Sequence, residues 1–247
     1  MAIPVIGRRA SQYHAPQPGK DFEYRAGTGM MPSAEWSVNF DDFYGTVATN
    51  VPLGWVAAVI DTGSTLVVDT TAAYGSGVLL FDSDGATEGV AVYGTDSIQL
   101  TSGKKFWMEM KFQTEIADDS DVQFGLTAHT ATTNPEDLWT TAAADLVAFG
   151  VLDGSATVKM LSDKSNSGST AETGTRDLSS ATWHILAISY DGVNLKGYVD
   201  GRLALTWAQA STTIPTGVAL APFFGFRNGS AATTEGHIDY IRWVSER

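Results

Sequence analysis

Residues 182–206 read TWHILAISYDGVNLKGYVDGRLALT, and this stretch decides the fold. Trp183, Ile185, Ala187 and Ser189 alternate with His184, Leu186, Ile188 and Tyr190, the period of a β-strand. Asp191-Gly192 supplies a turn, because glycine accepts positive φ at no steric cost. Leu195, Gly197 and Val199 then alternate with Lys196, Tyr198 and Asp200, and Asp200-Gly201 turns the chain again. Apolar residues occupy both faces of both strands. That pattern predicts a hairpin inside a two-layer sandwich and not on a solvated edge.

Working outward, short strand patterns recur between turn signals, as in a sandwich. They cover Trp36–Tyr44, Trp55–Ile60, Thr65–Asp69, Val78–Phe81, Ser97–Leu100, Lys105–Ile116 and Val122–Ala128. Leu146–Leu152 and Thr157–Leu161 bracket a turn at Asp153-Gly154. Trp55–Ile60 and Thr65–Asp69 are expected to form a hairpin through Asp61-Thr62-Gly63. Along 105–116, Phe106, Met108, Met110, Phe112 and Ile116 share one face, with Trp107, Glu109, Lys111, Gln113 and Glu115 on the other. One helix is expected near Asn134–Ala144, capped by Thr133 or Asn134, with Pro135 in its first turn and Glu136 and Asp137 complementing its dipole. Ser162–Gly174 reads as a flexible loop.

The chain has 247 residues, a length that one large all-β domain can fill. It has no cysteine, which excludes disulfides and thiolate metal sites. No apolar run reaches the roughly 18 residues of a membrane helix, and MAIPVIGRRASQ makes a poor secretory signal. The net charge is −13. Residues 1–20 carry Arg8, Arg9 and Lys20 and no acid, giving +3 against −16 for the remainder. An acidic body argues against broad nucleic-acid binding. Residues 1–21, with Pro4, Pro16 and Pro18, read as an extended arm ahead of a single domain over 22–247. Ile3, Val5, Ile6, Arg8, Arg9 and Tyr13 are its candidate anchors on an acidic partner surface.

The pattern W-H-x-L-x-x-x-Y-D-G…Y-V-D-G-R resembles the penultimate hairpin of concanavalin A-like (laminin G-like) jelly rolls. His237–Trp243 looks like the closing strand of that fold, which pairs back near the N-terminal strand. The resemblance implies an all-β jelly roll of two antiparallel sheets. The body from about Trp36 to Arg247 also resembles virion structural proteins of tailed bacteriophages, in segments such as GWVAAVIDTGSTLVV, GKKFWMEMKFQTE and LAPFFGFRNGSAATTEGHIDYIRW.

The catalytic constellations fail on their residues. Asp61-Thr62-Gly63-Ser64 matches the short aspartic-protease signature, but Val151–Ser155 is a poor second copy and the turn reading accounts for the segment. Glucanase relatives place E-x-D-x-x-E on a central strand. Here Glu109 is followed by Lys111 where the Asp would stand, and Glu115 lies about 20 Å away along an extended chain. His14, His129, His184 and His237 are scattered. Asp82, Asp84, Asp118, Asp119 and Asp121 lie in acidic turns, where the resemblance implies Ca²⁺ as the one candidate cofactor. They lack EF-hand spacing, and the expectation is a chain without a cofactor. Asn228-Gly229-Ser230 is a formal sequon read as a hairpin turn. Trp36, Trp55, Trp107 and Trp183 are assigned to the core, leaving Trp139 as the candidate for a sugar or interface contact.

The resemblance therefore implies a non-enzymatic virion protein, made in the host cytoplasm and placed on the capsid surface as a decoration (cement) protein. Its expected partners are the major capsid protein and further copies of itself, as trimer or dimer, with no nucleic acid and no membrane. The alternative is a carbohydrate-binding module of a phage tail or adhesion device, presenting rim loops such as Ala131–Leu138 and Ser162–Gly174.

Overall fold

A computed structural model describes residues 36–41, 43, 55–56, 64–69, 77–83, 85, 88–94, 98–128, 145–165, 167, 170–229 and 234–246. Its strands, in chain order, are β1 (Trp36–Asp41), β2 (Trp55–Val56), β3 (Ser64–Asp69), β4 (Val78–Ser83), β5 (Gly89–Gly94), β6 (Ile98–Gln99), β7 (Phe106–Thr114) and β8 (Ser120–Thr127). There follow β9 (Leu146–Leu152), β10 (Ser155–Asp163), β11 (Glu172–Asp177), β12 (His184–Tyr190), β13 (Leu195–Val199), β14 (Arg202–Thr206), β15 (Ala219–Asn228) and β16 (Thr234–Glu246). The helical content of the described residues is one 3₁₀ turn, Ser211–Thr213.

The strands form two antiparallel sheets, the expected jelly roll. The first runs β14-β13-β12-β7-β16-β4-β3, with β1 also paired to β16. The second runs β11-β10-β9-β8-β15-β5-β2, with β6 also paired to β15. The deciding stretch folds as read. Leu186 stands opposite Val199 and Tyr190 opposite Leu195. The Asp191 carboxylate accepts the Val193 and Asn194 amides at 3.0 and 2.7 Å, closing the first turn. Asp200 and Gly201 both take positive φ, 48° and 74°, as a two-residue turn matched to strand twist requires.

The core lies between the sheets. Phe106, Met108, Met110 and Phe112 of β7 meet Phe124, Phe149, Phe224 and Phe226 from the second sheet. Phe81 and Phe224 make an edge-on contact across the layers at 5.8 Å. The layers approach closely where the hairpin faces β9: a Cβ on Gly197 would sit 2.5 Å from the Phe149 ring. β1 closes on β16, with Trp36 opposite Glu246, as the closing-strand reading expects.

Several expectations are corrected. Trp55–Ile60 and Thr65–Asp69 do not form a hairpin: β2 pairs with β5 in the second sheet and β3 with β4 in the first. Adjacency in sequence misleads there, because the chain crosses between layers. Asn228-Gly229 is no hairpin turn either. β15 and β16 lie in different sheets, and Asn228 is fully buried with its amide donating to Gly85 O. The loop expected over Ser162–Gly174 is shorter, since β10 runs to Asp163 and β11 begins at Glu172. The strand read over Lys105–Ile116 runs from Phe106 to Thr114, and among the described residues β16, with 13 residues, is longer than its 9. Trp55 joins the core, but Trp107 and Trp183 alternate onto the opposite face of the first sheet. The arm 1–21, the helix 134–144 and the Trp36 side chain lie outside the described residues.

Candidate functional site

The best-formed polar constellation covers the outer face of the first sheet, centred on β7. Alternation sends Trp107, Glu109, Lys111 and Gln113 away from the core. The register sets Glu109 opposite Ala187 on β12 and Arg242 on β16. Tyr198 on β13 stands opposite Ala187, so a row of side chains crosses four strands. Trp107 and Tyr198 pack at 5.4 Å between ring centroids.

Glu109 is completely buried, and its carboxylate accepts from three donors. Oε1 accepts from Arg242 Nε at 2.7 Å and from the Tyr240 hydroxyl at 2.9 Å. Oε2 accepts from Trp107 Nε1 at 2.9 Å. Burial first, then the Glu109 charge, push the Tyr240 phenol far above its ordinary range, so it stays a donor. A buried carboxylate held by a guanidinium and two neutral donors is a fixed structural charge. Three donors from β7 and β16 tie it into the sheet.

A β-bulge builds this arrangement. The β7–β16 register shifts between Ile238 and Tyr240, leaving Asp239 without an opposite residue. The extra residue reverses the alternation, so Ile238 faces the core while Tyr240 and Arg242 face outward. Asp239 bonds Lys111 Nζ at 2.6 Å. Lys111 Nζ also lies 4.9 Å from the centroid of the Trp183 ring, and Trp183 meets His237 at 6.4 Å. The face thus presents half-buried aromatic and polar groups, with Lys111 paired to Asp239 and Arg242 to Glu109.

The sequence-derived candidates divide as follows. Ile3, Val5, Ile6, Arg8, Arg9, Tyr13, Asp84 and Trp139 lie outside the described residues. Asp82 stands beside Glu235 on β16 at one end of the same face, with the Glu115 and Glu235 backbones hydrogen-bonded alongside. Asp118 and Asp121 do not converge on a cation position. Asp118 uses its carbonyl to accept the Gly154 amide. Asp121 is buried, accepting the Asp153 amide at 2.7 Å with Arg227 3.5 Å away. Burial is the main influence on Asp121 and raises it above the ordinary carboxylate range against those two partners. Among the described residues no group of three or more His, Asp or Glu side chains is arranged to hold a metal. His184 opens β12, its ring held between the Ser179 amide and the Asp200 carboxylate. Neither middle strand carries paired acids: β7 offers Glu109 with Lys111 two residues on, and β8 offers Asp121 followed by Gln123.

Sequence reasoning missed Tyr198, Tyr240 and Arg242. The signal for the last two was an aromatic-then-charged spacing at i, i+2 that mirrors Trp107 and Glu109. The bulge concealed which face it occupied.

A family model described as the concanavalin A-like lectin/glucanases superfamily, of laminin G type, matches residues 136–246. Solved structures extend the likeness over most of the chain. The carbohydrate recognition domain of Emp47p is 13% identical, with 87% of this chain and 98% of that chain covered and a TM-score of 0.60. Arcelin-5, a lectin-like defence protein from Phaseolus vulgaris, is 11% identical, with 86% and 99% covered and a TM-score of 0.58. The apo Crh5 transglycosylase is 12% identical, with 85% and 84% covered and a TM-score of 0.57. No curated protein matches the chain. The family match and these neighbours support a concanavalin A-like, laminin G-like domain; at such identities the structural likeness speaks for the fold alone.

Proposed function

We propose that this domain is a non-catalytic recognition module whose ligand is a saccharide, taken on the outer face of the first sheet. The observation that carries the reading is the Glu109 centre. The carboxylate in the middle of the aromatic face is engaged by Trp107, Tyr240 and Arg242, so the centre of the face offers groups for stacking and hydrogen bonding around a carboxylate held in place by its neighbours. Tyr198, half-buried beside Trp107, is the stacking residue. Carbohydrate recognition domains among the similar structures support the ligand class. A glycan array with the purified chain tests it. Specific binding that falls at least tenfold in Tyr198→Ala, with the fold intact by circular dichroism, is the expected result. Uniform background across glycans sinks the reading, as does turnover of any glycan.

One observation favours a second setting. The first 20 residues carry +3 while the rest of the chain carries −16. A basic, proline-rich leader on an acidic body suits an anchor on a larger assembly, and the loose virion resemblance gives a capsid surface as that assembly, with the chain as trimer or dimer. Deleting residues 2–20 and measuring retention on purified capsids tests this. Undiminished retention removes the leader from the mechanism.

A further inference from the structure

The crossover from β11 in the second sheet to β12 in the first is pinned at four points. Leu178 N–H donates to Ala156 O at 2.9 Å, Ala181 N–H to Thr114 O at 2.7 Å, and Ala117 N–H to Ser180 Oγ at 3.0 Å. The fourth point differs in kind: Ser179 N–H donates to His184 Nε2 at 2.9 Å. A backbone amide can only donate, so Nε2 carries no proton. The ring proton sits on Nδ1, which donates to Asp200 Oδ2 at 2.7 Å. The Asp200 carboxylate is fixed in turn by the Ile185 amide at 2.9 Å.

We propose that His184 is an acid-sensitive latch on this crossover, closed only while its imidazole is neutral. A second ring proton would have to go on Nε2 and would face the Ser179 N–H, donor against donor. The amide bond must then open, and the segment 178–182, which seats Leu178 in the core, loses one of its four ties. Imidazole is the side chain whose charge ordinarily changes between pH 5 and 8. The charged and titratable groups around it are few. Asp200 bonds the ring, and Arg202 of β14 acts on Asp200. On the neighbouring face, Lys111 of β7 and His237 of β16 meet Trp183, and Glu235 lies 3.8 Å from His237. Trp183 leads directly from the crossover into β12, so opening the latch loosens the foot of the aromatic face. The inference stands whether or not that face binds a saccharide.

Amide hydrogen exchange on the full chain tests it, read residue by residue by NMR at pH 8.0, 6.5 and 5.0 and corrected for intrinsic rates. Protection at Ser179 should fall at least tenfold on acidification, while Ile188 and Val199 in the neighbouring hairpin keep theirs. The same loss should persist in His237→Gln. Constant protection at Ser179 overturns the proposal, as does a uniform loss over the whole hairpin. Disappearance of the effect in His237→Gln overturns the assignment to His184. A ring ¹⁵N spectrum at pH 8.0 showing the proton on Nε2 also overturns it.

Discussion

Replacing Glu109 by Gln removes one charge from the centre of the first sheet and changes almost no volume. Arg242 then keeps a mostly buried guanidinium, 18% exposed, without its counter-charge. The new amide nitrogen must also face at least one of three donors, Arg242 Nε, Tyr240 OH or Trp107 Nε1. Breaking a buried ion pair from one side costs about 3–5 kcal/mol. Because Arg242 reaches some water, the low end applies, about 3 kcal/mol. For a domain of this size each kcal/mol moves Tm by roughly 2–4 °C, so the variant should melt about 6–12 °C lower. Urea unfolding should show the same loss with an unchanged m-value. Pairing Glu109→Gln with Arg242→Met should recover part of it, since the stranded charge goes too. A loss below about 1 kcal/mol in Glu109→Gln would refute the claim that this carboxylate forms a buried ion pair with Arg242.

The remaining expectations are smaller. Gly197→Ala puts a methyl group 2.5 Å from the Phe149 ring and should cost about 1–3 kcal/mol in urea unfolding. Asp200 feels burial first, which raises it, but hydrogen bonds from His184 and the Ile185 amide outweigh that and hold it below the ordinary value. Its contribution is therefore present above the unfolded carboxylate range, near pH 4, and is lost as pH falls through the lower folded value. Asp200→Asn, which still suits the positive φ, should flatten the stability profile below about pH 4. Asp121 works in the opposite sense. Its raised folded value means that stability declines as pH rises from the unfolded range up through the folded one, and Asp121→Asn should remove that decline.

What the chain states locally proved sufficient for the architecture. Period-two alternation in 182–206, with Asp-Gly at each turn, specifies strands that are apolar on both sides, while the same period in 105–116 specifies a strand with one apolar face. Local chemistry also sets the Asp200-Gly201 corner, because only residues tolerant of positive φ can make it. Which strand lies beside which is another matter. Trp55–Val56 and Ser64–Asp69 are neighbours in sequence and belong to different sheets, since the first pairs with β5 and the second with β4. The candidate site depends on tertiary structure still more. Glu109 and Tyr240 are 131 residues apart and meet only through the β7–β16 register. The bulge at Asp239 then turns Tyr240 and Arg242 outward, against the simple alternation of their own strand. The periodicity of the strand itself does not show that reversal, because the residues that Tyr240, Arg242 and Asp239 meet, Glu109 and Lys111, lie on the strand beside it.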